Sequence, residues 1–177
     1  MSKMSPSAFF NKYGLSFIVA TQGTGLFPSV KAAQAAIETG WGATINEAGN
    51  NMFGIKADAS WFGQVISNTT KEVVNGITYT YTGTGKIYSS RSAAIAAGVN
   101  TVTLFRKYLS VELSIIDHTK FLTKNSRYKT ALQQTTPEAQ ARALQAAGYA
   151  SATSYANSII SIINTYDLKS KLDEKKK

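Results

Sequence analysis

One tight β-hairpin, in the stretch KEVVNGITYTY, interrupts a chain whose other regular segments have helical periodicity. Valines precede Asn75-Gly76, and apolar residues alternate with threonines after it. Asn-Gly between two β-rich runs is the strongest short-range signal for a two-residue hairpin turn. The chain is therefore predicted to be a mainly helical α+β domain with one small β-hairpin lobe inserted between its helices.

Capping signals and apolar spacing predict helices on both sides of the hairpin. Ser5 and Pro6 predict the start of a first helix with an interruption at Gly14, and Pro28 or Ser29 opens a second helix that ends at Gly40. Further helices are expected over residues 92–110, 114–122, 137–147 and 153–166. We expect a single domain over residues 1–177, with a core at about 5–166 and a basic tail at 167–177, in which the terminal KLDEKKK is a frayed, solvated helix end.

The composition restricts the chemistry that is available to the chain. There is no cysteine and one histidine, so a zinc site of the usual kind lacks ligands, and no metal or cofactor is expected. The 19 lysines and arginines outnumber the 10 acids, and the net charge of +9 favours a polyanion such as nucleic acid, an anionic membrane face or bacterial wall polymer. No run has the length of a membrane span, so membrane insertion is not expected.

Carboxylates remain as the candidate catalysts. Glu38 ends the alanine-rich helix of SVKAAQAAIETGWG, where the negative end of the helix dipole raises the pKa of an acid, as a general acid requires. The flanking Trp41 is expected to desolvate this carboxyl and to offer a sugar ring an apolar face. The alternative is an exposed glutamate that only favours helix.

Two further acids leave both a catalytic and a structural interpretation open. Glu72 precedes the hairpin turn, where it lies either on a flap over a cleft or on a short strand whose edge it blunts. Asp117 is either catalytic or a local hydrogen-bond partner. Its neighbour His118 is interpreted as structural, because a histidine without other ligand-type residues rarely forms a site.

Five blocks, in this order, resemble the catalytic domain of the family 73 glycoside hydrolases, the flagellar-rod and autolysin type β-N-acetylglucosaminidases of bacterial peptidoglycan. The blocks are PSVKAAQAAIETGWG, NNMFGIKA, TTKEVVNG, FRKYLSVELSIIDHTKFL with SRY, and ALQAAGYASATSYANSI. The resemblance implies a lysozyme-like fold with a helical body, a β-lobe and a groove for the glycan strand between them. It also implies cleavage of the bond from N-acetylglucosamine to N-acetylmuramic acid.

The resemblance assigns roles to residues of the matching blocks. It implies that Glu38 is the general acid, that Glu72 is the second acid, that Asp117 is a third acid and that Tyr149 is a tyrosine of the groove. The candidate substrate-binding residues are Trp41, Asn51, Phe53, Trp61 and Tyr155. An unusually long segment between VNG and FRKY departs from the family pattern, so the lobe that carries Glu72 is expected to be built differently.

Several alternatives stay open at the level of sequence. After Glu38 protonates the glycosidic oxygen, either Glu72 activates water or the 2-acetamido group of the substrate attacks, with Glu72 or Asp117 orienting it. A muramidase or lytic transglycosylase would share the fold, and a non-catalytic wall-binding protein would keep the groove.

The expected partner is the glycan strand of peptidoglycan. We expect a monomer that binds no nucleic acid, because no patterned basic stripe accompanies the charge. The expected place of action is the bacterial cell wall, outside the cytoplasm. The N-terminus lacks the pattern of a secretory signal, so delivery by a phage, by a secretion system or through a removed leader is expected.

Overall fold

A computed structural model describes residues 2–174, in which helices predominate over short antiparallel strands. The helices are α1 Pro6–Thr21, α2 Pro28–Glu38, α3 Arg91–Ala96, α4 Val111–Lys124, α5 Lys129–Leu132, α6 Pro137–Ala146 and α7 Tyr155–Thr165. The strands are β1 Val65–Ser67, β2 Thr70–Val74, β3 Ile77–Tyr81, β4 Ile87–Tyr88 and β5 Leu104–Arg106. Two 3-10 turns, Thr101–Thr103 and Ser126–Tyr128, and a π-helix, Lys169–Asp173, complete the elements. The predicted mainly helical α+β fold is confirmed.

The described chain divides into two compact units. Residues 2–44 and 115–174 form the helical unit, with α1, α2, most of α4, and α5 to α7. Residues 45–114 form the β-unit, with all the strands and α3. Glu38 belongs to the helical unit and Glu72 to the β-unit.

Helix α2 is the central element of the helical unit, because α1, α6, α7 and the π-helix all contact it. Its sequence favours helix, since proline occupies the first turn and alanine has the highest helix propensity. The alanines at positions 32, 33, 35 and 36 are fully buried. Their small side chains allow neighbouring helices to approach closely on several sides.

Helix α2 ends directly after Glu38 in a Schellman motif. Gly40 has φ 55°, and the N–H of Trp41 donates to the carbonyl of Ala36 at 2.9 Å. Glycine adopts this left-handed conformation without a steric penalty. The predicted stop signal is confirmed, and it places Glu38 in the last turn.

Helix α1 runs through Gly14 without the predicted interruption. A Cβ atom at Gly14 would lie 3.2 Å from Cδ2 of Leu172 in the π-helix. The glycine therefore makes room for a close neighbour. The prediction was wrong because a glycine can serve packing as well as end a helix.

The predicted basic tail packs against the helical unit as far as it is described, including Leu172 of the segment that was expected to be solvated. Leu168 and Leu172 are buried, at 0% and 5% exposure. The Asp173 carboxylate accepts hydrogen bonds from the backbone N–H of Ser29 at 2.9 Å and from its hydroxyl at 2.7 Å. Asp173 thus caps the N-terminus of α2 from 144 residues away. Residues 175–177 of the predicted tail lie outside the described residues.

Replacement of Asp173 by alanine is expected to lower the free energy of unfolding by about 1–2 kcal/mol, the usual cost of a lost N-cap. The variant leaves two donors of Ser29 unpaired and removes a negative charge from the positive end of α2. Urea denaturation measures the change. Glu174→Ala removes the same charge from an exposed neighbouring position and is the control. Equal stabilities of the two variants would contradict the capping role.

The hairpin of the β-unit has the predicted turn. Strands β2 and β3 are antiparallel, with Val74 opposite Ile77, and the connecting residues Asn75 and Gly76 have φ 51° and 78°. Positive φ at both positions is typical of a type I′ turn. Glu72 lies on β2, two residues before this turn.

The predicted helix over residues 92–110 is wrong after its first turns. Helix α3 stops at Ala96, Gly98 follows at φ 77°, and the chain then forms β5, which pairs with β1 in a sheet of order β4-β1-β5. Leu104 of β5 joins Val65 and Ala94 in the buried core of the β-unit. Pairing with a distant strand decides the structure here, and helical periodicity contains no information about it.

Candidate active site

Three polar residues of α2 lie on one face of the helix, because Lys31, Gln34 and Glu38 follow each other at i, i+3 and i+7. Lys31 and Gln34 are fully buried, whereas Glu38 at the end of the helix is exposed. We call the following set the Glu38 cluster: Lys31, Gln34, Glu38, His118, Tyr128, Tyr149 and Tyr155. All members belong to the helical unit.

Tyr149 is the direct partner of the Glu38 carboxyl. Its hydroxyl donates a hydrogen bond of 2.5 Å to Oε1 of Glu38. The turn after α6 positions the ring: Gly148 has φ 78°, and the N–H of Tyr149 donates to the carbonyl of Leu144 at 3.0 Å. Glu38 and Tyr149, which the resemblance assigns to the site separately, are thus joined by a hydrogen bond although they lie 111 residues apart in sequence.

His118 connects Tyr149 to the buried lysine. Its Nε2 lies 3.0 Å from the Tyr149 hydroxyl, and its Nδ1 lies 2.7 Å from Nζ of Lys31. The sequence interpretation of His118 as purely structural therefore overlooked its contact with the catalytic candidate. A histidine can thus contact a candidate catalytic group through hydrogen bonds even where no other metal-ligand residues accompany it.

The pKa of the Glu38 carboxyl is raised above its ordinary value, mainly because surrounding protein desolvates it. The hydrogen bond from Tyr149 and the charge of Lys31 act in the opposite direction and lower this pKa. Glu38 keeps an exposed surface, so a bound substrate can reach its carboxyl. The predicted direction of the shift is confirmed, with desolvation by the cluster as its main cause.

Burial also changes the acidity of the other cluster members. Desolvation lowers the pKa of Lys31 to about 7, although the charge of Glu38 opposes the shift. Desolvation and then the charge of Lys31 lower the pKa of His118 well below its ordinary range. The pKa values of Tyr149 and Tyr155 are raised, first by desolvation. Near neutral pH the imidazole and both phenols are therefore uncharged.

The pKa of Glu72 is shifted in the opposite direction to that of Glu38. Its Oε1 lies 2.9 Å from Nζ of Lys56 and accepts a hydrogen bond of 3.2 Å from the Thr70 hydroxyl. The Lys56 hydrogen bond, followed by the Lys56 charge, lowers the pKa of Glu72. The carboxylate borders a surface cleft of about 470 Å³ in the β-unit. Its lining includes Lys56, Asp58, Glu72, Tyr81 and Arg91.

Asp117 and Phe53 stay predictions as site residues. Asp117 is half-buried on α4, directly before His118. Phe53 is half-buried in the loop of the β-unit, before Gly54 at φ 60°.

Trp41 occupies a different place from the one predicted. Its ring packs against Phe9, Phe10 and Tyr166 at centroid distances of 5.9, 5.6 and 5.5 Å. The residue after Gly40 is itself left-handed, with φ 60°, and this turn directs the indole to α1. The aromatic ring that touches the Glu38 carboxyl is that of Tyr149.

Asn51 and Tyr155 support their units instead of facing solvent. Asn51 is 1% exposed, and its amide bonds three backbone groups: it donates to the carbonyls of Ile55 and Arg106 and accepts from the N–H of Ile55, each at 2.9 Å. Tyr155 is 6% exposed, and its hydroxyl accepts from Gln34 at 2.8 Å. In this structure Asn51 holds the loop and Tyr155 holds the cluster, and their contact with the sugar stays a prediction.

Trp61 is half-buried in the β-unit and stays a candidate sugar contact. Its Nε1 donates to the carbonyl of Gln64 at 2.9 Å, and its ring lies 5.3 Å from that of Tyr108. The guanidinium of Arg106 lies 4.9 Å from the ring centre. These contacts fix the orientation of the indole.

Sequence reasoning missed four residues of the site: Lys31, Gln34, Phe121 and Tyr128. Phe121 is 55% exposed, and its ring lies 6.4 Å from His118 and 6.2 Å from Tyr128. It gives the cluster an apolar surface of the kind that sugar rings stack on. For Lys31 and Gln34 a signal was available, because the spacing of the polar residues in KAAQAAIE places both on the same helix face as Glu38.

Two classes of site have no support in the described part of the chain. Within residues 2–174 no three His, Cys, Asp or Glu side chains are arranged to hold a metal ion. In the same range, no helix combines the length and apolar character that crossing a bilayer requires.

The chain is similar to known glycoside hydrolases along most of its length. A family model described as mannosyl-glycoprotein endo-beta-N-acetylglucosaminidase matches residues 15–168. The peptidoglycan hydrolase FlgJ of Vibrio parahaemolyticus is 32% identical over 163 residues, which are 89% of this chain and 46% of FlgJ. The exo-glucosaminidase LytG of Bacillus subtilis is 30% identical, over 81% of this chain and 45% of LytG. The chain thus spans less than half the length of these relatives.

A solved structure extends the similarity to the fold. The C-terminally truncated glycoside hydrolase domain of Salmonella typhimurium FlgJ superimposes with a TM-score of 0.69 and 31% identity. The match covers 92% of this chain and 98% of that domain. Because the family model matches residues 15–168, which include the whole β-unit and most of both segments of the helical unit, the chain belongs to the glucosaminidase family of glycoside hydrolases.

Proposed function

We propose that this chain is an endo-β-N-acetylglucosaminidase that cleaves the β-1,4 bond from N-acetylglucosamine to N-acetylmuramic acid in peptidoglycan. The family description names an endo-acting glucosaminidase, and the FlgJ relatives are named peptidoglycan hydrolases. The net charge of +9 suits a substrate that carries muramyl and peptide carboxylates. The bacterial wall is accordingly the proposed place of action, and the monomeric state stays a prediction.

The arrangement of Glu38 is the observation that carries this proposal. Its pKa is raised, its surface is open to a ligand, and Tyr149 binds Oε1. Because Oε1 accepts the Tyr149 hydrogen bond, the acidic proton of a neutral carboxyl belongs on Oε2. Glu38 then donates this proton to the glycosidic oxygen as an oxocarbenium-like transition state develops.

The same neighbours stabilise the product of proton transfer. As Glu38 becomes a carboxylate, its hydrogen bond from the Tyr149 hydroxyl turns into a stronger, charge-assisted one. The positive charge of Lys31 also favours the ionised carboxyl. Both interactions grow in the direction of the reaction, as electrostatic catalysis requires.

Glu72 is proposed as the second catalytic carboxylate. The pKa of Glu38 is raised and that of Glu72 is lowered, and such a divergence separates an acid from a base at one pH. Glu72 would either activate water or orient the 2-acetamido group of the substrate. Asp117 is proposed to assist this orientation.

The proposal is tested by the chemical ends that the enzyme creates. Purified peptidoglycan is digested, reduced with borohydride and analysed by mass spectrometry. Reduced N-acetylglucosamine ends are expected, and products longer than a disaccharide early in the digest indicate internal cleavage. Reduced or anhydro muramic acid ends would instead identify a muramidase or a lytic transglycosylase. No products from walls of several compositions would contradict enzymatic activity.

A further inference from the structure

Glu38, Tyr149, His118 and Lys31 form one continuous hydrogen-bonded chain. The successive contacts are 2.5 Å from Glu38 Oε1 to the Tyr149 hydroxyl, 3.0 Å from there to His118 Nε2, and 2.7 Å from His118 Nδ1 to Lys31 Nζ. Lys31 is fully buried, and His118 is 8% exposed. In the acid catalysis described above His118 has no task and Lys31 acts only through its charge, and a buried lysine requires a physical reason.

Below about pH 7, where Lys31 carries its proton, the chemistry of these four groups fixes the direction of every hydrogen bond in the series. A lysine ammonium only donates, so Nδ1 of His118 must accept from it. A neutral imidazole has one N–H, which then belongs on Nε2 and donates to the Tyr149 oxygen. The single hydroxyl proton of Tyr149 is left to point at Glu38. Lys31 thus selects the histidine tautomer, and the tautomer selects the orientation of the phenol.

We propose that the buried Lys31 is a positioning residue that acts through His118 to hold the Tyr149 hydroxyl on Glu38. This rests on the proposed function, in which Glu38 is the general acid. Lys31 and His118 touch neither the substrate nor the reacting atoms. Without the ammonium, His118 is free to carry its proton on Nδ1 and to accept the Tyr149 hydroxyl at Nε2, which removes the donor from Glu38.

The groups around the hydrogen-bonded series from Lys31 to Glu38 do not change the direction of its hydrogen bonds. Helix α2 supplies Lys31 and Glu38, α4 supplies His118, and the turn after α6 supplies Tyr149. Two further titratable neighbours, Tyr155 of α7 and Tyr128 of the 3-10 turn, are aromatic contacts of Tyr149 at 5.4 and 6.0 Å. The Gln140 amide of α6 accepts a hydrogen bond from the N–H of Phe27, and Asp173 of the π-helix accepts one from the N–H of Ser29. Both contacts lie near the N-terminus of α2.

Lys31→Met is the first variant of the test, because methionine fills the space of the buried lysine without a donor. The loss of the Tyr149 hydrogen bond and of the Lys31 charge both raise the pKa of Glu38. The basic limb of the pH profile of kcat/KM, which reports the general acid, is expected to move to higher pH by about one unit or more. Lys120→Met removes an exposed lysine of α4 and controls for net charge.

The double variant Lys31→Met/His118→Leu separates positioning from the charge alone. Leucine cannot accept a hydrogen bond, so Tyr149 again has Glu38 as its acceptor. The basic limb is therefore expected to move back towards the wild-type position. An identical limb in the single and the double variant would overturn the positioning role, since the charge of Lys31 is lost equally in both.

Tyr149→Phe gives an independent test of the same chain. In the wild-type background this variant is expected to raise the basic limb by about one pH unit, because it removes the hydrogen bond to Glu38. In the Lys31→Met background it is expected to add little, because that bond is already lost. Equal shifts in both backgrounds would show that Lys31 acts by charge alone.

Carboxyl ¹³C NMR of the glutamates follows the titration of Glu38 without any activity, with Glu38→Gln to assign the signal. Failure of the positioning role and failure of the proposed function are thereby distinguishable. Full activity of Glu38→Gln would reject the proposed function, whereas the NMR titrations would still decide whether Lys31 acts through Tyr149.

Discussion

Glu38→Gln is expected to lower the turnover of peptidoglycan by a factor of roughly 10²–10⁴, the usual contribution of general acid catalysis. Glutamine has nearly the same shape, and its side-chain oxygen can still accept the hydrogen bond from Tyr149. It has no proton to give to the leaving oxygen. The measurement is kcat on purified glycan strands, with thermal unfolding to show that the fold is kept.

Two other glutamates define the comparison. Glu47 is exposed and Glu47→Gln is the matched control, with activity expected to equal that of the wild type. Glu72→Gln is expected to lower kcat while the basic limb of the pH profile keeps its position, because the proposed mechanism assigns that limb to Glu38. Turnover by Glu38→Gln at the level of Glu47→Gln would contradict the assignment of the acid.

Local signals in the sequence predicted the parts of the fold that depend on neighbouring residues. Asn75-Gly76 produced the hairpin turn, and Gly40 ended α2 directly after Glu38. These features are set by backbone conformations that few residues adopt, so short stretches determine them. The position of Glu38 in the last turn of a helix was predictable for this reason.

The interior of the site was not predictable from the same signals. Polar residues at i, i+3 and i+7 are the usual pattern of a solvent-facing stripe. In α2 this stripe is buried, except for Glu38, because His118 and Tyr155 supply partners for Lys31 and Gln34. These partners come from α4 and α7, 87 and 121 residues away. Periodicity shows which residues share a face and leaves open what covers it.

The prediction that Trp41 lies beside the Glu38 carboxyl failed for a similar physical reason. Trp41 follows Glu38 closely in sequence, but the left-handed residues of the turn reverse the chain and direct the indole to α1. Tyr149 is distant in sequence and lies on the carboxyl. Proximity along the chain is a poor guide to contact where a Schellman motif changes its direction.

Lys31→Met is expected to remove a pH dependence from the stability of the wild-type protein. Burial lowers the pKa of Lys31 from 10.5 to about 7 in the folded state. Between these values the unfolded chain holds the lysine proton and the folded protein does not, so the stability of the wild type rises with pH. One proton changes the free energy of unfolding by about 1.4 kcal/mol per pH unit, and because Lys31 is still half protonated near pH 7 in the folded protein, the rise from pH 7 to 9 amounts to roughly 2 kcal/mol.

Urea denaturation at pH 7 and pH 9 measures this rise. Lys31→Met lacks the pH-dependent contribution of the lysine. The difference between its free energy of unfolding and that of the wild type should therefore change, from pH 7 to pH 9, by about the rise given above. Lys120→Met, which removes an exposed lysine, is expected to keep the wild-type slope. Parallel pH dependences of Lys31→Met and the wild type would show that Lys31 is not desolvated in the folded protein.

The sign of this effect bears on the role of the lysine. At and below neutral pH the buried ammonium destabilises the fold, so packing and stability alone do not account for a lysine at this position. A lysine that destabilises the folded state and contacts the proposed general acid through two hydrogen-bonded side chains is typical of a residue that serves activity at the expense of stability. We therefore expect Lys31→Met to separate stability from activity. Its stability relative to that of the wild type should be greater near pH 7 than at pH 9, and its pH profile of kcat/KM should be displaced.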